Sequence, residues 1–272
     1  MLSDDIRYFC ITKSRQCMEI KIQDFFTSDN AVNGLTEKEY KQAEIYVKAA
    51  KALARSSNQC VYIIDYFKQG FLYVSESLAY LCGVSAAEIK DFGYEMYIRH
   101  VPPAESAMLK EINDKGFALF NTFSDEEKVD CTITYDFHLT NGKTQRLINH
   151  KLTPLVLTKD GRIWLALCTV AVSAHHKPGK IILRREGADS HYEHDLTRRT
   201  WMEKPNIALS AMERDVLHLS AQGYTMQEIA VALCKSIDTV KACKRALFAK
   251  LDVKNIAEAL SFVTNYKMLW RN

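Results

Sequence analysis

Lys241, Lys244 and Arg245 stand at i, i+3 and i+4 in the segment Ser236-Ile237-Asp238-Thr239-Val240-Lys241-Ala242-Cys243-Lys244-Arg245. On a helix this spacing gathers three cations on one face. Val240, Cys243, Leu247 and Leu251 recur at three and four on another face and predict the side that packs. One basic face on an otherwise packed helix suits insertion into the roughly 12 Å major groove of duplex DNA. Three charges alone more often mark only a solvated surface. The elements that flank them therefore decide what they do.

Other side-chain chemistry is sparse. Eight cysteines fall at 10, 17, 60, 82, 131, 168, 234 and 243, with no C-x-x-C pair. Most sit in apolar runs, where a free Cys behaves as a small hydrophobe, so a reduced, cytoplasmic protein is expected. His100, His138 and His150 are isolated along the chain and are expected to be surface residues or satisfied by one hydrogen bond rather than haem ligands. Adjacent carboxylates at Asp4-Asp5 and Glu126-Glu127 have no partner acid at helical spacing, which leaves general acid–base work unsupported. There is no P-loop, G-x-G-x-x-G, H-E-x-x-H or G-x-S-x-G. The expectation is no catalysis, no cofactor and no metal.

The elements around the basic residues are clear. Ser210-x-x-Glu213 and Thr225-x-x-Glu228 are capping boxes, in which a hydroxyl and a carboxylate each satisfy a free backbone N–H. Ser236 and Asn255 are good N-caps. Four helices are thus predicted after Pro205, with Gly223 stopping the first and the third running from 236 to about 251. Three helices joined by short turns, the third of them basic, make a helix-turn-helix pattern.

This segment is similar to the LuxR-type (GerE-type) helix-turn-helix family across about 207–266 without a gap. The residues that carry the likeness are Leu209-Ser210, Glu213, Val216-Leu217, Leu219, Ala221, Gly223, Glu228-Ile229-Ala230, Leu233, Ser236, Thr239-Val240-Lys241, Lys250-Leu251, Val253, Asn255 and Glu258-Ala259. The resemblance implies double-stranded DNA as partner, bound as a homodimer through the third helix, with pairing often through the fourth. It implies DNA contact by Lys241, Lys244 and Arg245, and phosphate contact or helix positioning by Thr225, Gln227 and Thr239. The family commonly has His or a similar polar residue where this chain has Cys243. Its place on the apolar stripe assigns Cys243 to the core edge rather than to a base.

Upstream, Thr36-x-x-Glu39 opens an amphipathic helix over 36–55, with Tyr40, Ala43, Val47, Ala50 and Ala54 as its stripe. Residues 1–34 carry no clear period. Strands are predicted at 60–64 and 71–74, with short helices from Ser75 and from Ser85-x-x-Glu88. Pro102-Pro103 breaks the chain before a helix at 104–112. Residues 129–139 alternate, with Val129, Cys131, Ile133, Tyr135, Phe137 and Leu139 on one face. Asn141-Gly142 predicts a type I′ hairpin, Pro154 a bulge or edge in the returning strand, and Asp160-Gly161 a second hairpin into 162–172.

Ile63-Ile64-Asp65, Gly70-Phe71-Leu72-Tyr73-Val74-Ser75 and Leu81-Cys82-Gly83-Val84-Ser85-Ala86-Ala87-Glu88-Ile89 within this order resemble a PAS domain over about 55–173. Cys82 lacks the N-C-R-like motif of flavin-binding members of that family. Residues 174–204 are charged and predict a connector, with one added strand at 180–184.

The fold class expected is α+β: a PAS-like antiparallel sheet with flanking helices, then an all-α four-helix LuxR-type domain. The division is an N-terminal segment at 1–54, a sensor at 55–173, a connector at 174–204 and a DNA-binding domain at 205–272. Net charge follows it. The 36 Lys/Arg and 33 Asp/Glu leave +3, and residues 205–272 hold nine bases against six acids, so the whole excess lies there. No apolar run approaches the roughly 18 residues of a membrane span, and an acidic start at Asp4-Asp5 does not read as a signal peptide. A homodimeric, cytoplasmic transcription regulator is expected, with a small-molecule or protein ligand at the PAS-like domain and no membrane partner. The rival is a protein-binding sensor or adaptor without direct DNA readout; a cofactor-dependent enzyme using the PAS-like pocket is a weaker third reading.

Overall fold

A computed structural model describes residues 20–57 and 59–268. Asp4-Asp5, Cys10, Cys17 and Arg271 lie outside the described residues. Eight strands follow in chain order: β1 (Cys60–Asp65), β2 (Gly70–Val74), β3 (Cys131–Thr140), β4 (Gln145–Leu157), β5 (Ile163–Val172), β6 (Gly179–Arg185), β7 (Ser190–Asp195) and β8 (Thr200–Pro205). They form one antiparallel sheet in the order β2-β1-β5-β4-β3-β6-β7-β8.

The helices are α1 (Glu37–Ser56), α2 (Glu76–Cys82), α3 (Ala86–Phe92), α4 (Glu95–His100), α5 (Pro103–Phe120), α6 (Asp125–Val129), α7 (Ala211–Ala221), α8 (Met226–Ala232), α9 (Ile237–Leu251) and α10 (Ile256–Asn265). Helices α2 to α6 all fall between β2 and β3, and the first five strands stand as 2-1-5-4-3. The fold is α+β, a PAS-like sheet followed by a four-helix module.

Local chemistry explains most boundaries. The boxes Thr36/Glu39, Ser85/Glu88, Ser210/Glu213 and Thr225/Glu228 all form, each starting its helix one residue later. A fifth, Ser124/Glu127, starts the unforeseen α6, so Val129 ends a helix instead of opening a strand. The helix after Pro102-Pro103 runs past 112 to Phe120, because Gly116 is tolerated inside it while Phe117 and Phe120 bury. Pro154 coincides with a register shift against β5, the predicted bulge. The Asn141-Gly142 turn is not a two-residue type I′ loop. Thr140 pairs with Gln145, leaving four residues in the loop. Asn141 Oδ1 accepts from the N–H groups of Lys143 and Thr144, and only Gly142 takes positive φ.

The stretch 174–204, expected to connect two domains, forms β6, β7 and β8 and extends the sheet to Pro205. Polar pairing stabilises these strands. Glu193 on β7 accepts from Lys180 (3.1 Å) and Lys204 (2.9 Å). His194 Nε2 meets Glu111 of α5 at 2.8 Å, and Trp201 Nε1 donates to the Lys115 carbonyl at 3.0 Å. An alternating apolar pattern therefore never develops, and the segment reads as a linker.

Both faces of β3 are buried. Cys131, Tyr135 and Phe137 belong to the main core. On the other side, Thr134 and Asp136 are buried, and Asp136 accepts from Asn149 Nδ2 (2.8 Å) and pairs with His175 Nδ1. The ring of His175 lies edge-on to Phe262 and Tyr266. Ala174 and Ile182 share a core with Leu209, Leu217, Leu247, Phe262 and Val263. Asn265 Nδ2 donates to the Val172 carbonyl at 3.0 Å, and Arg184 donates to that of Tyr266 at 3.0 Å. The fourth helix of the module, α10, is thus seated against the sheet.

Candidate functional site

Helix α9 is held by two small cores. Val240 packs with Val216, Ile229 and Ala230, and half-buried Cys243 lies against that cluster. Leu247 and Leu251 join the core shared with the sheet. Cys243 therefore sits at the core edge, its thiol pushed up by burial, then by Glu213.

Of the bases predicted for the reading face, Lys241 and Arg245 are exposed and Lys244 is half-buried. Partial burial holds the Lys244 ammonium below its usual range. A three-and-four spacing from Lys241 sweeps back toward Val240, so the i+3 member falls on the shoulder of the packed side. Ala242, Ala246 and Ala249 are exposed beside Lys241 and Arg245. Carrying no charge, these alanines give no signal in the sequence. Lys241 Nζ also reaches the exposed Asp238 carboxylate at 3.3 Å.

Thr225, Gln227 and Thr239 are all exposed. Thr225 serves first as the α8 cap: its oxygen accepts from the Glu228 N–H, and its own N–H donates to Glu228 at 2.7 Å. That N–H, with the hydroxyl, holds the Glu228 carboxyl below the usual range. The Thr239 hydroxyl pairs with that of Ser236 at 2.8 Å.

Lys250 has a different task. Its ammonium donates to buried Glu213 at 2.6 Å and to the Ala208 carbonyl at 3.2 Å. Burial alone would raise the Glu213 carboxyl, but Lys250 and the Ser210 N–H and hydroxyl together hold it below the usual range. One of the four bases of the third helix is thus spent on clamping α9 to the start of α7.

A second candidate site lies in the PAS-like region. A cavity of about 70 Å³ opens among Tyr66, Tyr94, Tyr97, Tyr135, Phe117 and Asn113. Burial pushes all four tyrosines well above their usual range, so they stay protonated donors. Behind Tyr97, the Tyr62 hydroxyl meets Tyr97 Oη at 2.5 Å and His150 Nε2 at 2.6 Å.

Burial, then Lys151, pushes the His150 imidazole down to about 3. In an unfolded chain a histidine protonates near 6.5. Between those values the unfolded state binds one proton more, so stability falls as pH falls, by about 1.4 kcal/mol per pH unit. A His150→Gln variant is expected to lose this part of the slope, read by urea unfolding at about pH 7 and about pH 5.

The other histidines considered as ligands are likewise engaged. His100 Nδ1 meets the Thr140 carbonyl at 2.9 Å, and His138 Nδ1 meets Glu105 at 2.7 Å. Cys82 is buried and its thiol is pushed up to about 12 by desolvation, then by Cys60. Among the described residues no group of three or more His, Cys, Asp or Glu could hold a metal, and no helix is long and apolar enough to cross a membrane.

Comparison with known proteins adds a family match. Residues 208–263 match the luxR family of bacterial regulatory proteins. The oxygen regulatory protein NreC of Staphylococcus haemolyticus is 26% identical over 176 residues, which cover 62% of this chain and 74% of NreC. Among solved structures, a phage VqmA–DPO complex aligns with 86% of this chain and 93% of its own, at 14% identity and a TM-score of 0.33. A Vibrio cholerae VqmA dimer without target DNA aligns with 80% of this chain and 87% of its own, at 16% identity and a TM-score of 0.31.

Proposed function

We infer that this chain, a DNA-binding regulator of the luxR family through its residues 208–263, reads duplex DNA with the exposed face of α9. The exposure of Lys241 and Arg245 around Ala242, inside the matched segment, carries this reading. The two cations suit phosphates and guanine edges, and small side chains between them let the helix sit deep, with a methyl to meet thymine. Thr225, Gln227 and Thr239 add phosphate contacts, and Lys244 supports them from the shoulder of the helix.

Asp238 opposes the phosphates. Its carboxylate is 92% exposed and neutralises part of Lys241. Asp238→Asn is expected to raise affinity for random-sequence duplex a few-fold at low salt, roughly the gain from removing one screened repulsion. Fluorescence anisotropy on a scrambled duplex checks it.

The working unit is a homodimer on an inverted repeat whose half-sites lie about one helical turn apart. Because α10 is occupied by the sheet, α1 is the better pairing element, with Ile45 at 66% and Leu53 at 37% exposure. The signal is a small ligand in the tyrosine-lined cavity, which is enclosed mainly by apolar side chains and offers phenolic donors. It acts by shifting a pre-existing balance between DNA-competent and incompetent arrangements, in the cytoplasm and without catalysis.

Sequencing the genomic DNA bound to the protein in cells tests this reading. A recurrent inverted repeat is expected. Bound DNA with no common site, together with duplex binding that ignores salt, would put the protein-binding adaptor in its place.

A further inference from the structure

Where β3, β4 and β6 meet the end of α10, a second cavity of about 40 Å³ is lined by polar side chains. Lys151 on β4 and Lys267, just beyond α10, both face it. Lys151 is half-buried, and no ion pair or side-chain hydrogen bond joins either ammonium to a carboxylate among the described residues. Desolvation and then the charge of Lys267 push Lys151 down to about 8, against the pull of Asp136. Asp136 makes no ion pair with Lys151, and its two oxygens already meet Asn149 and His175.

Arg184 adds a third cation at the wall, already donating to the Tyr266 carbonyl and lying over the Tyr266 ring at 5.0 Å. Arg185 is paired with Glu127, and Asp130 and Glu186 stand on the same lining. Lys267 is held in a left-handed backbone (φ 53°), a conformation that residues with a side chain adopt only with strain. Two ammonium groups on one cavity lining, one of them half-buried, repel each other unless an anion joins them.

We propose that this cavity binds a phosphate group, free or as the monoester end of a metabolite, between Lys151 and Lys267, and that the bound anion ties the C-terminal helices to the sheet. The anion converts a repulsion into two charge-assisted hydrogen bonds, one from each side of the junction. Its concentration would then bias how firmly the DNA-reading module is seated, by mass action on the docked form alone.

The test uses the full chain, with thermal unfolding and amide hydrogen exchange followed in phosphate and in chloride at equal ionic strength. Phosphate is expected to raise the unfolding temperature by several degrees at saturation and to slow exchange over 182–186 and 262–268. Lys151→Gln and Lys267→Gln should each weaken phosphate binding about tenfold or more, as expected when one charge-assisted hydrogen bond is removed. Lys267 is exposed, so its variant folds even where Lys151→Gln does not. Lys254→Gln, an exposed charge elsewhere on the module, should behave like the parent.

Separate titrations with inorganic phosphate and glycerol phosphate identify the source: tighter binding of the ester means a metabolite, binding of inorganic phosphate alone means the free ion. Absence of any phosphate effect on the parent overturns the proposal. So does an equal effect in parent and Lys267→Gln.

Discussion

Replacing Lys241 and Arg245 together by alanine is expected to lower affinity for the target duplex by about a hundredfold or more, since each such side chain contributes about 1–3 kcal/mol. The slope of log K against log salt should fall by about one unit for each phosphate that the variant no longer neutralises. Titrations of one duplex at several salt concentrations measure both. Lys250→Ala is the instructive contrast. It removes one formal charge from the same helix, but the Lys250 ammonium is committed to Glu213 and the Ala208 carbonyl. Its effect should appear in stability, with Glu213 left buried and unpaired, and only secondarily in DNA affinity. A double alanine variant that binds like the parent would mean that α9 presents another face.

The second large effect is expected at Asp136. This carboxylate is fully buried and holds both Asn149 and His175. Asp136→Ala leaves those two partners without their acceptor and is expected to cost about 3–5 kcal/mol, read by denaturant unfolding. The destabilisation should reach beyond the sheet. Since His175 lies against Phe262 and Tyr266, amide exchange should accelerate along α10 and the turn after it. Faster exchange confined to β3 and β4 would show that His175 is held by the C-terminal core without help from Asp136.

The sequence was most legible where a side chain dictates its own local geometry. Four Ser/Thr-x-x-Glu boxes and the Asn255 cap placed their helices to within a residue, because the capping hydrogen bonds are local. The alternating strand β3 was readable on one face only. Thr134 and Asp136 fall on the face opposite the predicted stripe, yet they are buried where the end of α10, more than a hundred residues downstream in sequence, meets the sheet. Strands β7 and β8 were invisible because polar contacts hold them, Glu193 with Lys180 and Lys204 between neighbouring strands and His194 and Trp201 with α5, so no alternating apolar pattern marks them. On α9, periodicity located the packed stripe of Val240, Cys243, Leu247 and Leu251. It could not rank Lys244 against Lys241, since a position on the shoulder of a helix is decided by how wide the neighbouring helices are.

The continuous sheet leaves little chain between the PAS-like part and the helical module. With β8 running to Pro205 and Ser210 capping α7, only residues 206–209 link them. Four residues reach at most about 14 Å when fully extended. A module released from its seat on β5 and β6 therefore stays on a very short leash, at an effective concentration in the millimolar range or above. Recapture is intramolecular and fast, so a module that leaves the sheet competes with a seat that never diffuses away. Lengthening 206–209 with glycine and serine would weaken that recapture while leaving both surfaces intact, making the length of the loop a control on how much of the module is docked.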